Sequence, residues 1–115
     1  MIVEQRTYTL KPGTIQEYFR LYQQEGMQIQ LQFLHPMLGY YVTEVGPLNQ
    51  VVHLWGYESY DDRERRRAAM RAHPGWPQYL AKIHPLIEHQ ESKLMLPAPF
   101  FDLKAVMDKL AAGSA

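Results

Sequence analysis

The segment QVVHLWGYE at residues 50–58 decides the fold, because it has the composition of a β-strand and large side chains at most positions. Side chains alternate between the two faces of a strand. One set here is Val52, Leu54 and Gly56, and the other is Val51, His53, Trp55 and Tyr57. An antiparallel strand with one wet face normally alternates apolar and polar residues, and this strand does not. We therefore expect both of its faces to be covered.

Turn and helix signals around this strand give a βαββαβ order. Gly46-Pro47-Leu48-Asn49 predicts a turn that joins residues 37–45 and 50–58 into an antiparallel hairpin. The other bounds are strands at 2–10 and 87–96 and helices at 14–33, 59–72, 76–84 and 102–111. Right-handed crossovers place the first and third strands at the centre of the sheet. The prediction is a ferredoxin-like α+β fold, with a four-stranded antiparallel sheet and both long helices on one face. The domain is expected over residues 1–100, with a C-terminal helical tail at 101–115.

Composition excludes several classes of protein. The 115 residues are 46% hydrophobic and 21% charged, which is the composition of a folded domain rather than a disordered one. The 12 basic and 12 acidic side chains balance, so we expect no nucleic-acid partner. No apolar run is long enough to span a bilayer, so we expect no membrane insertion. No targeting segment precedes the first strand, and we expect a cytoplasmic location.

The aromatic face of the central strand predicts a dimer. Two helices on the opposite face of the sheet would leave Trp55 and Tyr57 exposed, together with Tyr8 or Tyr41 from neighbouring strands. Such a patch exceeds what a monomer normally leaves in water. We therefore expect a homodimer in which two sheets pack face to face around a shared interior. The alternative is a monomer whose C-terminal tail folds over the sheet.

Several segments together resemble the NIPSNAP family. They are Glu4-x-Arg6-x-Tyr8-x-Leu10-x-Pro12-Gly13, residues 45–59, His73-Pro74-x-Trp76-x-x-Tyr79 and Leu94-Met95-Leu96-Pro97. The resemblance implies the dimeric α+β barrel fold, which also hosts cofactor-independent monooxygenases, haem-degrading enzymes and muconolactone isomerases. By fold analogy alone, a monooxygenase-like or isomerase-like activity on a small hydrophobic or aromatic molecule is one expectation. A second is a non-catalytic module that binds a ligand or a protein. A third is a structural dimer whose interior is filled by side chains.

His53 is the first candidate for chemistry. On a face that lines a cavity it could act as a general base or contact a ligand. Its other interpretation is a buried histidine that bonds to a neighbour such as Glu4 or Tyr8. Trp55, Tyr57, Tyr8 and Tyr41 are the expected walls of the same cavity, since aromatic walls suit aromatic ligands.

Glu4, Arg6 and Tyr8 form a polar row on one face of the predicted central first strand. Buried charges persist when they are paired, so the row is either a structural network or a binding site. In the second case Arg6, a candidate catalytic residue, could hold a carboxylate ligand with two hydrogen bonds. Glu4 and Tyr8 would then be ligand contacts.

Arginines and histidines offer two weaker signals. Arg63, Arg67 and Arg71 recur every four residues, which indicates either a phosphate-binding patch or, as we expect, a solvated face laced with ion pairs. His84 and His89 are five residues apart and lack the spacing of a helical zinc site. We therefore predict no metal site, and the sequence identifies no cofactor.

Overall fold

A computed structural model of the chain describes residues 1–113. Its strands are β1 (Ile2–Leu10), β2 (Met37–Val42), β3 (Gln50–Tyr57) and β4 (Ile87–Met95). Its helices are α1 (Ile15–Leu21), α2 (Met27–Leu34), α3 (Tyr60–Ala72), α4 (Gly75–Ile83) and α5 (Leu103–Gly113). A π-helical turn, Tyr22–Gly26, joins α1 to α2, and a 3₁₀ turn, His84–Leu86, joins α4 to β4. None of the helices formed by residues 1–113 has the length and apolar content needed to cross a membrane.

The four strands form one antiparallel sheet in the order β2-β3-β1-β4. β1 and β3 are central, and Arg6 on β1 faces His53 on β3 and Ser92 on β4 across the ladder. This arrangement confirms the predicted ferredoxin-like α+β fold. The register brings the polar row of β1 directly beside His53.

The helix predicted over residues 14–33 is interrupted in the structure by the π-helical turn. Buried residues recur at intervals of four along it, at Tyr18, Tyr22, Gly26, Gln30 and Leu34. An α-helix has 3.6 residues per turn, so a strict four-residue repeat drifts round its surface. A π turn takes up extra residues and cancels part of this drift. The turn therefore keeps all five residues facing the sheet.

The helices cover the aromatic face of β3, which we call the inward face of the sheet. Trp55 and Tyr57 are 0% exposed in the single chain, and both belong to its hydrophobic core. The prediction that these rings face a partner subunit is therefore wrong. Both faces of β3 carry apolar residues, and the helices cover the face with the larger rings because it buries more area.

The opposite face of the sheet, the outward face, is partly covered by α5. Met107 of α5 packs over Gly56, where Leu38 also lies close. Leu103 and Met107 are the buried residues of α5. A side chain at position 56 would meet the sulfur and terminal methyl of Met107, so the glycine lets this flexible side chain lie directly on the strand. The tail thus folds over the sheet, as the alternative interpretation expected. Residues 114–115 of the predicted tail lie outside the described residues.

Candidate ligand-binding cleft

A cleft lies between the inward face of the sheet and the helices. Its outer part has a volume of about 100 Å³. One wall is apolar and comes from Trp76, Leu80 and Ile83 on α4. The facing wall is cationic and comes from Arg6, Arg67 and Arg71, while Tyr8, Gln30 and Gln90 complete the lining.

The inner end of the cleft is a water-sized space of about 10 Å³. It shares Tyr8, Gln30 and the apolar wall with the outer part, and His53 lines it. The remaining lining is aromatic, from Tyr18, Tyr22, Tyr40 and Tyr79. The cleft therefore runs from three arginines at the surface to one histidine among tyrosine rings.

His53 is held in one tautomer by Trp55. The indole N–H of Trp55 donates to Nδ1 of His53 at 2.7 Å, and His53 is 1% exposed. A nitrogen that accepts a hydrogen bond carries no proton, so the proton of the neutral ring lies on Nε2. That buried Nε2 has no hydrogen-bond partner within residues 1–113. His53 therefore presents an unused N–H donor.

Burial keeps His53 neutral. Loss of solvent, followed by the nearby charges of Arg6 and Arg67, lowers the pKa of His53 from 6.5 to about 3, although Glu4 opposes the shift. A ring with so low a pKa is a poor proton acceptor at neutral pH. The geometry thus favours contact with a ligand over a role as general base.

Aromatic rings fix the imidazole from three sides. Tyr40 stacks on it with ring centroids 4.6 Å apart, and Tyr8 meets it edge-on at 5.0 Å. The hydroxyls of Tyr18 and Tyr40 lie 2.6 Å apart, and Tyr22 donates to Gln30 at 2.6 Å. Burial raises the pKa of Tyr18, Tyr22 and Tyr40, so these hydroxyls stay protonated at neutral pH. The ring position is accordingly preorganised.

Glu4 lies at the centre of an ion-pair cluster beside the cleft. Its Oε2 accepts hydrogen bonds from Arg6 at 3.2 Å, Arg63 at 2.7 Å and Ser92 at 2.6 Å. Arg67 is 3.9 Å from Oε1, too far for a hydrogen bond. Arg6 also donates to the hydroxyl of Tyr8 at 3.0 Å. One carboxylate therefore ties β1 to α3 and β4.

The cluster holds Glu4 ionised although its carboxylate is fully buried. Burial alone would raise the pKa of Glu4, but hydrogen bonds from Arg63 and Ser92 and the charges of Arg6 and Arg67 lower it from 4.5 to about 2. Arg67 gains less from the cluster. Burial and repulsion from Arg6 lower the pKa of Arg67, and Glu4 only partly compensates.

The structure brings together four of the predicted site residues, Glu4, Arg6, Tyr8 and His53. Trp55 lies behind His53 as its hydrogen-bond donor. Tyr57 does not line the cleft: the guanidinium of Arg66 lies 5.5 Å over its ring, and its hydroxyl is close enough to the ion-pair cluster for Glu4 to raise its pKa after burial does. Placing Tyr41 among these residues is wrong, because it pairs with Val52 on the outward face and is 60% exposed. Its neighbour Tyr40 occupies the expected place, because Tyr40 pairs with His53 in the regular part of the β2–β3 ladder.

The arginine face of α3 is laced with ion pairs, as expected, but it is not solvated at two of the three positions. The side chains of Arg63 and Arg67 are only 16% and 14% exposed, because both reach under the helix toward Glu4. Asp62 and Ser59 fix the start of this helix: Ser59 accepts from the backbone N–H of Asp62 at 3.1 Å. Only Arg71 of the three is exposed.

Sequence reasoning missed several lining residues, above all Gln30, Tyr40, Trp76 and Gln90. Trp76 and Tyr79 belong to the hydrophobic core, and both also line the cleft. Gln30 left a readable signal, because it is a polar residue in the four-residue repeat of buried positions. Gln90 gave no such signal. Every position of β4 from Glu88 to Leu94 is exposed, so a polar residue there does not stand out from its neighbours.

Acid should weaken the fold through His53. In the unfolded chain His53 binds a proton near its ordinary pKa of 6.5, whereas in the folded chain it does so only near 3. The unfolded state therefore gains protons first as the pH falls. We expect this group to lower the free energy of unfolding by about 2 kcal/mol between pH 7 and pH 5. Urea unfolding across this range measures the change.

Two variants isolate the contribution of His53. Asn in the variant His53→Asn offers Trp55 an acceptor but does not titrate, so the pH dependence above pH 5 should shrink by that amount. His89→Asn, on an exposed position of β4, should retain it. An equal pH dependence in both variants would contradict the assignment.

The sheet order, the helices on its inward face and the polar cleft between them define a ferredoxin-like α+β domain. The profile of the NIPSNAP family matches residues 3–102. The chain belongs to the NIPSNAP family. The predicted resemblance is thereby confirmed.

Curated relatives align with most of the chain's length. NipSnap homolog 2 of Danio rerio is 35% identical over 104 residues, which are 90% of this chain and 35% of that protein. The NipSnap homolog of Dictyostelium discoideum is 35% identical over 94 residues, or 82% and 41% of the two chains. The chain thus spans about two-fifths or less of the length of these relatives.

Solved structures extend the comparison to the fold. A NIPSNAP family protein with unknown function from Agrobacterium tumefaciens is 46% identical, with a TM-score of 0.85 over 90% of this chain and 93% of that one. An uncharacterized NIPSNAP-like domain protein from Burkholderia xenovorans is 45% identical, with a TM-score of 0.84 over 88% of each chain. A putative antibiotic biosynthesis monooxygenase from Nitrosomonas europaea has a TM-score of 0.62 at 11% identity, over 87% of this chain and all of that one. That last similarity concerns the fold alone.

Proposed function

We propose that the cleft binds a small organic molecule with an apolar or aromatic body. The observation that carries this proposal is the N–H of His53, a buried donor that no group of residues 1–113 accepts from. Leaving such a donor unpaired costs about 1–3 kcal/mol, so it is retained more readily where a ligand in the outer part supplies the acceptor through one water in the inner space. Tyr8, Trp76, Leu80 and Ile83 give the ligand an apolar surface beside that donor.

Binding and electrostatic polarisation fit this cleft better than proton abstraction. Glu4 is ionised with a pKa of about 2, and His53 is neutral with its free nitrogen protonated. Both lie far from the pKa near 7 that suits a general base. The arginines and His53 instead donate hydrogen bonds, which would stabilise an anion or a developing oxyanion. A monooxygenase-like or isomerase-like activity therefore has less support than ligand binding.

Binding can be tested with benzene derivatives that carry hydroxyl, oxo or carboxyl groups. Fluorescence of Trp55 and Trp76 and ligand-observed NMR should reveal binders, and His53→Asn should weaken the best of them about tenfold through loss of one hydrogen bond. The exposed variant His89→Asn is the matched control. Absence of any binder, or equal affinity in the two variants, would contradict the proposal.

The homodimer stays a prediction, now on different grounds. The exposed apolar side chains include Tyr41 on the outward face and Leu96, Phe100 and Phe101 after β4. A second copy of the chain would remove this surface from water, as the resemblance to dimeric α+β barrels implies. Sedimentation velocity of the purified chain measures the state directly, and a 13.5 kDa species at high concentration would contradict it. A cytoplasmic location likewise remains a prediction from the sequence.

A further inference from the structure

The cationic wall of the cleft carries more charge than the protein neutralises there. Arg6, Arg67 and Arg71 all line the outer cavity. The carboxylate that reaches this wall is Glu4, and its Oε2 is already shared by Arg6, Arg63 and Ser92. No acidic side chain within the described part of the chain pairs with Arg71. The cavity is therefore bordered by an excess of positive charge.

Of the two largely buried arginines in this wall, Arg67 has fewer partners than Arg6. Its side chain is 14% exposed, and its distance of 3.9 Å to Glu4 Oε1 leaves an ion pair without a hydrogen bond. A guanidinium has five N–H donors in a planar fork that matches a carboxylate. Burial of such a group beside a second cation is unfavourable, and the pKa of Arg67 is lowered as a result. An anion in the cavity would relieve this repulsion.

The facing wall sets the chemistry of the rest of the ligand. Trp76, Leu80 and Ile83 offer hydrocarbon and ring surface in the same cavity as the arginines. The outer cavity of about 100 Å³ is smaller than the roughly 150 Å³ that holds benzene in an apolar protein cavity. It therefore has room for an acid group and a short apolar segment, and a longer body would extend toward the surface.

We infer that the ligand of this cleft is a carboxylic acid with an apolar body, bound as its carboxylate by Arg67 and Arg71 with Arg6 beside them. The inference rests on the proposed function and adds the head group to it. The amides of Gln30 and Gln90 lie in the same cavity and supply uncharged donors to the same group. The pattern matches a carboxylate better than a polyanion, because the arginines share the cavity with an apolar wall and the chain as a whole is neutral.

Matched pairs of acids and amides test the head group. The probes are phenylacetate and hexanoate, their amides phenylacetamide and hexanamide, and inorganic phosphate as an anion without an apolar body. Calorimetry should give affinities for the acids at least tenfold above those for the amides. Phosphate should bind more weakly than either acid.

Arg71→Gln is the decisive variant, because Arg71 is exposed and makes no ion pair with residues 1–113, so its loss leaves the fold intact. It should lower the affinity for the acids about tenfold and leave the amides unchanged. Arg65→Gln changes the same helix on a side chain that is 73% exposed and pairs with Asp62, and it should have no effect. Arg67→Gln should weaken acid binding further.

The outcomes separate the two proposals. If the amides bind as tightly as the acids and Arg71→Gln does not change the affinities, the ligand is not bound through a carboxylate. Ligand binding itself would remain supported. If phosphate binds as tightly as the acids, the inference that the ligand has an apolar body is wrong. Failure of acids and amides alike to bind would overturn the carboxylate ligand, whereas ligand binding is overturned only if the hydroxyl and oxo compounds also fail to bind.

Discussion

Glu4→Gln should destabilise the fold by about 3 kcal/mol at pH 7. Glutamine resembles the protonated acid, so the loss follows from the pKa of Glu4, which folding lowers from 4.5 to about 2. The variant leaves Arg6, Arg63 and Arg67 close together without their shared carboxylate, and breaking a buried pair typically costs about 3–5 kcal/mol. Urea unfolding measures the difference.

The pH dependence gives the Glu4 prediction a sign. Glu4 is ionised in the folded state above pH 2 and in the unfolded state above 4.5, so its contribution is complete above 4.5 and lost as the pH falls toward 2. The wild type and Glu4→Gln should therefore converge in acid. Glu64→Gln, which removes a half-exposed partner of Arg63, should cost under about 1 kcal/mol. Equal stability of Glu4→Gln and the wild type would show that the cluster contributes nothing.

Gly26→Ala should destabilise by about 3 kcal/mol, although alanine is normally the better helix former. An added Cβ at this position would lie 2.5, 2.7 and 2.8 Å from three ring carbons of Tyr79. The backbone φ of Gly26 is an ordinary helical −86°, so the requirement for glycine is close packing and not conformation. The methyl group would have to push the Tyr79 ring toward the inner end of the cleft. Thermal and urea unfolding both measure the effect.

Two further variants locate the cause in that ring. Gly113→Ala in α5 meets nothing within 4 Å and should be neutral or slightly stabilising. Tyr79→Leu alone should lower the free energy of unfolding. The double variant with Gly26→Ala should lose less stability than the sum of the two single losses. Strict additivity would mean that Tyr79 is not what the alanine meets.

Element order was predictable because the signals are local. Proline, turn residues and the change from alternating to helical spacing mark the ends of strands and helices, and strands 1 and 3 follow as the central pair. The covered face of the sheet was not predictable in this way. On β3 both faces are apolar, and on β1 the inward face is the charged one, so alternation alone gives no sign of which face is buried.

The candidate site was predicted in its polar part and missed in its aromatic part. Glu4, Arg6, Tyr8 and His53 share one face by simple alternation, and the structure keeps them together. Tyr40 and Tyr41 are adjacent and point to opposite faces, so the register of the β2–β3 hairpin decides which ring stacks on His53. The lining from α2 and α4 depends on how helices sit on the sheet, which no local pattern records.

Ser92 and Arg63 reach Glu4 from 88 and 59 residues along the chain. A partly assembled chain in which only one of α3 and β4 has docked on β1 would hold this carboxylate partly dehydrated and without one of these two donors. Such a state is disfavoured relative to both the open chain and the complete one. The Glu4 cluster therefore makes assembly of the sheet and docking of α3 mutually dependent, which favours a cooperative, all-or-none transition.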